Sequence, residues 1–462
     1  MIRIFRHYIP LSLFFIAASE GLLMFGSVYL GLYSKLLGFN PAAYLLVGPV
    51  WSKALLYAAI MILFLSATGL YQRGLRADFR DMLLRISVSF VSGAIFIALM
   101  LKIFPEYSVG DTALLVALLS SFIAVVLFRL LAIKFTHQHF FKRRVLVIGA
   151  GNLAAQIQQL RRKTDWFDAE LLGYVHIPGQ AIVVDKRMVH YLKGRLLEYA
   201  RAQRVDQLVV AIREQATNFP LEQVLDCKMA GIEVIDLMHF FEQRTGKIKI
   251  NTLNPSSIIF ADGFIQAMFK TYAHRSFDIV VSVIVLVLTS PIMLVSVAAI
   301  VLESGLPVFY RQTRVGRDNQ LFEILKFRSM SVDAETGGAQ WAAANDTRVT
   351  RVGKIMRKLR IDELPQLINV LRGEMSFVGP RPERPEFVAR LEKKIPYYRV
   401  RHRVNPGITG WAQICYPYGA TEQDAMEKLQ FDLYYIKNYS LFLDVMIMIQ
   451  TAQVILWGKG AR

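Results

Sequence analysis

The residue types able to do chemistry gather between positions 326 and 384. Adjacent carboxylates stand in Ile361-Asp-Glu-Leu-Pro-Gln-Leu367, preceded by Lys326-Phe-Arg-Ser-Met330 and followed by Val378-Gly-Pro-Arg-Pro-Glu383 and Arg384. From Arg311 to Arg360 there are 11 Lys or Arg against 5 Asp or Glu, so Asp362 and Glu363 face a strongly basic stretch. Lys326, Arg328, Arg381 and Arg384 carry enough positive charge to bind a pyrophosphate, and the arginines can do so bidentately. A carboxylate among phosphates can serve as a nucleophile or hold a metal ion. The pair also has a bland reading. Leu364, Leu367, Ile368 and Leu371 recur at helical spacing up to Gly373, so Asp362 falls at or near a helix start, with Pro365 in the first turn, where acids serve as caps. A helix start also attracts phosphate, and the surrounding cations are not needed by any cap.

Two elements must deliver these residues. Val352, Ile355, Met356 and Leu359 recur at helical spacing among Arg351, Lys354, Arg357 and Lys358, which predicts an amphipathic helix on a membrane surface, leading to Asp362 at headgroup level. Before it, Ile279 to Leu302 is 24 residues without a charge, long enough to span a bilayer. Ser290-Pro291 lies at its middle, and an interior proline predicts a sharp break. Lys270 and Arg275 precede the segment and Arg311, Arg314 and Arg317 follow it, so both flanks prefer one side and a re-entrant helix fits better than a span. Phosphoryl transfer onto a lipid needs such a placement.

The rest of the chain fits a membrane protein. At 462 residues, with 54% hydrophobic residues, it exceeds one soluble core. Apolar segments at 9–32, 54–70, 84–104 and 112–133 are each long enough to span, which excludes a lone signal peptide. Arg3 and Arg6, then Arg73, Arg76, Arg80 and Arg85, then Lys142, Arg143 and Arg144 predict a cytoplasmic N-terminus, middle loop and remainder; Lys35 and Lys53 fall on the other side. A net charge of +18 suits nucleic acid, anionic lipid or a phosphorylated substrate, and the interleaved apolar runs favour the last two, so no nucleic-acid partner is expected. Cys227 and Cys415 lack the spacing of a disulfide framework or zinc site.

From 143 to 245 short apolar runs (Val145 to Ile148, Leu171 to Val175, Gln207 to Ile212, Ile232 to Leu237) alternate with helical stretches, predicting an open α/β sheet. Gly149-Ala-Gly-Asn-Leu-Ala154 is a GxGxxA turn able to receive a pyrophosphate. The acid that should hold a ribose is missing after Gly173-Tyr-Val175, so a degenerate Rossmann-like regulatory or assembly unit is expected, with tight strand-to-helix packing as the glycines' simpler purpose.

Residues 265–455 resemble the bacterial sugar transferase family, the monotopic polyprenyl-phosphate phosphoglycosyl transferases. Besides the three motifs above, Phe309-Tyr-Arg-Gln-Thr-Arg-Val-Gly316, Asn405-Pro-Gly-Ile-Thr-Gly-Trp-Ala-Gln413 and Asp432-Leu-Tyr-Tyr-Ile-Lys437 are similar to further family blocks. Ile259-Phe-Ala-Asp-Gly263 resembles the subgroup of exopolysaccharide and PEP-CTERM systems. The resemblance implies a membrane protein of α plus α/β class: a four-helix transmembrane region at 1–135, a Rossmann-like cytoplasmic domain at 143–245, and a mostly helical catalytic domain at 265–462 with its re-entrant helix at 279–302. It implies transfer of a sugar-1-phosphate from a UDP-sugar to polyprenyl (undecaprenyl) phosphate, with release of UMP, at the cytoplasmic face of the bacterial inner membrane. Asp362 would be the nucleophile, Glu363 its assistant, both ligands of Mg²⁺, with Arg381, Arg384 and Arg403 on phosphate or nucleotide. Membrane lipid, a second copy of the chain and downstream glycosyltransferases are the partners this implies. Competing classes are a membrane-anchored NAD-dependent epimerase or dehydratase, against which stands the lack of a Tyr-xxx-Lys pair, and a non-catalytic assembly scaffold.

Overall fold

The computed structural model describes residues 2–4, 7–9, 11–33, 48–71, 79–136, 142–160, 165–166, 169–192, 194–212, 219–250, 268–331, 348–416, 419 and 421–457. Ile259 to Gly263, Arg6, Lys35, Arg73 and Arg76 lie outside them. Most described residues are helical, and five helices are long and apolar enough to cross a membrane. The chain divides into two compact units, the first reaching Thr245 and the second beginning at Gly246.

In the first unit the expected spans form helices Leu11–Tyr33, Val50–Ala67, Phe79–Ile103 and Asp111–Thr136. They share one apolar cluster that includes Met24, Met61, Ile86 and Val125. Polar side chains inside it are paired, as apolar surroundings demand. The Arg129 guanidinium meets the Glu20 carboxylate through two donors, and the Tyr57 hydroxyl lies 2.7 Å from Ser121 Oγ. Lys53, on the unfavoured side by charge, donates to the Ser108 carbonyl at 2.7 Å, which satisfies it within the helix cluster.

The expected α/β sheet is present as five parallel strands in the order Val189–His190, Ala169–Val175, Arg143–Ile148, Gln207–Val210, Glu233–Asp236. Two apolar clusters cover it, around Phe240 and Phe241 and around Leu196 and Cys227. At the glycine turn, Gly149 has φ +106°, and a Cβ there would stand 2.9 Å from the Ala211 carbonyl oxygen, so close packing requires glycine. The Ala150 amide donates to Gln180 Oε1 at 3.0 Å. The chain's own glutamine thus takes a backbone donor that a dinucleotide would need, in keeping with a degenerate turn.

The second unit is built on helix Met268–Ser304, a hairpin of antiparallel strands Phe309–Val315 and Leu321–Phe327, helices Arg351–Lys358 and Gln366–Arg372, the short parallel pair Ser376–Val378 and Gly407–Thr409, and helices Pro385–Lys394, Glu422–Lys437 and Leu441–Trp457. The break expected at Ser290 and Pro291 does not end the helix, which runs 37 residues with Pro291 inside it; an interior proline bends a helix without ending it. Proline lacks the N–H that would reach the Val287 carbonyl, and the Ser290 hydroxyl donates there instead at 2.8 Å, replacing the lost bond. The helix leaves the unit and rejoins it. Arg275 near its start donates to the Leu371 carbonyl at 2.7 Å, Ile300 near its end packs with Val308, Phe327 and Met356, and apolar side chains between them such as Val287 and Leu288 are exposed.

Candidate active site

Asp362 and Glu363 occupy a 3₁₀ turn, Ile361–Glu363, directly before helix Gln366–Arg372, with Pro365 at the cap position and Gly373 in the left-handed region at the far end. The expected helix start is therefore where the dyad sits. Arg360 ahead of it is left-handed, with φ 55° and ψ 23°, a costly conformation for a side-chain-bearing residue. It turns the chain from helix Arg351–Lys358 into the dyad. That helix is fixed at its start by Thr350, whose hydroxyl accepts from the Gly353 amide at 2.9 Å, and by Glu303, which accepts from the Arg351 and Val352 amides at 2.8 and 3.0 Å. Gly353 touches the strand end; a Cβ there would lie 2.1 Å from the Ser329 carbonyl oxygen. The amphipathic stripe divides. Val352 and Met356 pack inward against Phe327 and Ile300, while Ile355 is 60% and Leu359 51% exposed.

The acids are almost buried, at 9% and 8% exposure, but their surroundings differ. Glu363 Oε1 accepts from Arg381 Nη2 at 2.9 Å and lies 3.5 Å from Lys326 Nζ, and Oε2 lies 3.4 Å from Arg360 Nη1. Burial would push its carboxyl up, but the charges of Arg381, Lys326 and Arg360 outweigh burial and hold it well below the usual range. Asp362 accepts no hydrogen bond among the described residues. Burial first, then the Glu363 charge, push it up to about 6, against the pull of Lys326, Arg357 and Arg381. One carboxylate is thus a fixed anion that organises cations, and its neighbour is a more basic carboxylate.

Asn369 ties the helix after the dyad to the strand that carries Lys326. Its Oδ1 accepts from the Leu325 amide at 3.0 Å and its Nδ2 donates to the Glu323 carbonyl at 2.7 Å. Arg381 is held by its own backbone, whose carbonyl accepts from Arg401 Nη2 at 2.9 Å; Arg401 is in turn paired with buried Asp432 at 3.0 Å.

Lys326 and Arg381 are therefore brought to the dyad as expected. Arg384 stands at the cap position of helix Pro385–Lys394, its charge acting on Arg314, which burial first and then Arg381 and Arg384 lower to about 10. Arg328 is not brought to the dyad: its Nη2 lies 2.8 Å from the Ser304 carbonyl oxygen, 2.7 Å from Ser304 Oγ and 2.7 Å from the Gly305 carbonyl oxygen. Its Nε and Nη1 have no partner among the described residues. It clasps the end of the long helix, whose last carbonyls need donors. The side chain of Arg403 is 74% exposed and lies 3.8 Å from Asp318 Oδ1. Three cations escaped the sequence reading: Arg314, Arg357 and Arg360. For Arg314 a signal existed, since Tyr310, Gln312 and Arg314 alternate on a strand whose Tyr310 pairs with Lys326.

The donor set fits Mg²⁺ at Asp362 better than at Glu363. This ion takes one or two carboxylates plus substrate phosphates and water; the Asp362 oxygens accept no hydrogen bond among the described residues, whereas both oxygens of Glu363 face cations.

A model of the family described as bacterial sugar transferase matches residues 269–458. The chain is similar to an Aeromonas hydrophila UDP-N-acetylgalactosamine-undecaprenyl-phosphate N-acetylgalactosaminephosphotransferase, 45% identical over 262 residues, which are 56% of this chain and 61% of that protein. Two UDP-glucose:undecaprenyl-phosphate glucose-1-phosphate transferases are also similar. The one from Xanthomonas campestris pv. campestris is 34% identical over 69% of this chain and 68% of its own length. The one from Klebsiella pneumoniae is 36% identical over 70% of each.

Proposed function

Because the chain belongs to the bacterial sugar transferase family, we propose that it transfers a sugar-1-phosphate from a UDP-sugar to undecaprenyl phosphate, through a covalent intermediate on Asp362. The observation that carries the residue assignment is the contrast within the dyad: Glu363 is locked by Arg381, Lys326 and Arg360, while Asp362 accepts no hydrogen bond among the described residues. Asp362 Oδ attacks the β-phosphorus of the UDP-sugar, the bond from that phosphorus to the bridging oxygen breaks, and UMP leaves with the bridging oxygen. A phosphate oxygen of the lipid then attacks the same phosphorus, and the Asp362 carboxylate departs. Lys326 and Arg381 balance the charge on the phosphoryl oxygens, with Arg384 and Arg314 as the nearest reserve. Glu363 keeps those cations in place. Mg²⁺, held by Asp362 with substrate phosphates, would neutralise further charge on the phosphoryl oxygens.

The raised carboxyl of Asp362 gives this reading a pH signature. Only the ionised form attacks, so kcat/KM for UMP release should fall as pH drops through about 6. Glu363, held low, contributes no titration there. UMP release measured from pH 8 to pH 5, with UDP-glucose and UDP-N-acetylgalactosamine as donors and undecaprenyl phosphate as acceptor, tests both activity and profile. No UMP from any UDP-sugar would refute the function, and a flat profile would show that the Asp362 carboxyl is not raised in the working enzyme.

The dyad then lies at the cytoplasmic face of the inner membrane, where nucleotide sugars are, and helix Met268–Ser304 enters the bilayer and returns. What favours return over crossing is that both its ends dock on one compact unit while its apolar middle is bare. In a background without Cys227 and Cys415, single cysteines at Tyr272 and Arg311 should both label from the cytoplasmic side. Labelling of the Arg311 site from the periplasm alone would make the helix a span.

A further inference from the structure

The first turns of the long helix place His274 and Asp278 four residues apart on one face, both buried and neither in contact with the dyad. Asp278 Oδ2 accepts from Ser376 Oγ at 2.8 Å and its Oδ1 from the Phe377 amide at 2.9 Å. His274 Nδ1 lies 2.7 Å from Asp444 Oδ2, with its ring stacked on Tyr439. The Tyr435 hydroxyl lies 2.8 Å from Asp444 Oδ1 and 3.1 Å from the Val378 carbonyl oxygen, its one proton shared between them. Every residue of strand Ser376–Val378 is thus fixed, directly or through Asp444 and Tyr435, to one face of the long helix. The strand runs into Gly379 and Pro380, themselves tied to the neighbouring strand by Gly379 N to the Thr409 carbonyl at 2.8 Å and Gly407 N to the Pro380 carbonyl at 3.0 Å. Next in the chain is Arg381, which donates to Glu363.

Burying two carboxylates and a histidine is costly, and apolar side chains would fill the same space at less cost. What apolar packing cannot supply is direction: these bonds set the register of a three-residue strand that, among the described residues, has one strand neighbour. We infer that Asp278 and His274 are positioning residues for the transfer reaction, a bracket on the membrane helix that sets Arg381 against Glu363. The inference rests on the reading of Asp362, Glu363 and Arg381 as the active site.

A double-mutant cycle separates positioning from general stability. With the full chain in lipid nanodiscs, kcat and KM for UMP release are measured for Asp278→Ala, Arg381→Gln and the two combined. Asp278→Ala is expected to lose ~10- to 100-fold in kcat, the scale of a small misplacement of a catalytic group. The double variant should be no slower than Arg381→Gln alone, because both changes remove one function. Asp278→Asn, which keeps an oxygen for the Phe377 amide, should recover most of the loss. If Asp278→Ala yields no folded protein, Tyr435→Phe takes its place in the same cycle with the same expectation. Losses that multiply, or unchanged kcat in the single variant, would overturn the inference. Unchanged kinetics in Arg381→Gln would instead overturn the reading of the site itself.

Discussion

Asp362→Asn should abolish the burst of UMP that the covalent route predicts before any lipid acceptor is added, and should cut turnover by ~10³-fold or more, the scale seen when a nucleophile is removed. The substitution is nearly isosteric and leaves the Glu363 contacts with Arg381, Lys326 and Arg360 in place, so the fold and donor binding should persist. Glu363→Gln should behave differently. It strips the shared anion from three cations at a nearly buried position, a loss of several kcal/mol when one partner of a buried pair goes. Reduced stability together with raised KM is expected there, in place of a clean loss of the chemical step. Rapid-quench measurement of UMP at enzyme concentrations near those of donor distinguishes the two patterns. An undiminished burst in Asp362→Asn would remove Asp362 as the nucleophile.

The second large effect is expected at Arg328, and on stability. Its Nη2 reaches three oxygens at the end of helix Met268–Ser304. Alanine would leave those groups without their donor at a nearly buried position, at ~1–3 kcal/mol for each unsatisfied group. Arg328→Ala should therefore lower the unfolding temperature in detergent and the yield of membrane-inserted protein, while the surviving folded fraction keeps the wild-type KM for UDP-sugar. The opposite pattern, normal stability with a raised KM, would place Arg328 on the substrate phosphates.

Arg328 also shows where sequence stops being informative. Its neighbours in Lys326-Phe-Arg-Ser-Met330 announce phosphate chemistry, and Lys326 obeys, because strand alternation and Asn369 turn it toward Glu363. Arg328, two residues on, shares that alternation, yet it is taken by a helix end that closes 24 residues earlier in the chain. Nothing local signals that partner. The same limit hid Arg357, whose charge read as part of a membrane-surface helix but acts on Asp362, and Arg360, which the left-handed turn brings to Glu363. Features set by local rules were legible. The bounds of helix Gln366–Arg372 followed from Pro365 and Gly373, the long apolar helices from uninterrupted apolar length, and the α/β sheet from short apolar runs separated by helical stretches. At Pro291 the helix does not end, since the preceding serine supplies the hydrogen bond that proline lacks.

The covalent relay through Asp362 is most directly tested with a UDP-sugar carrying label in its β-phosphate. The full chain is incubated with it without undecaprenyl phosphate, quenched and digested. Label should be found on the peptide containing Asp362, in an amount matching the UMP released, and should pass to lipid when undecaprenyl phosphate is added before quenching. Label that never attaches to protein, with UMP appearing only when both substrates are present, would contradict the relay and require direct transfer between them.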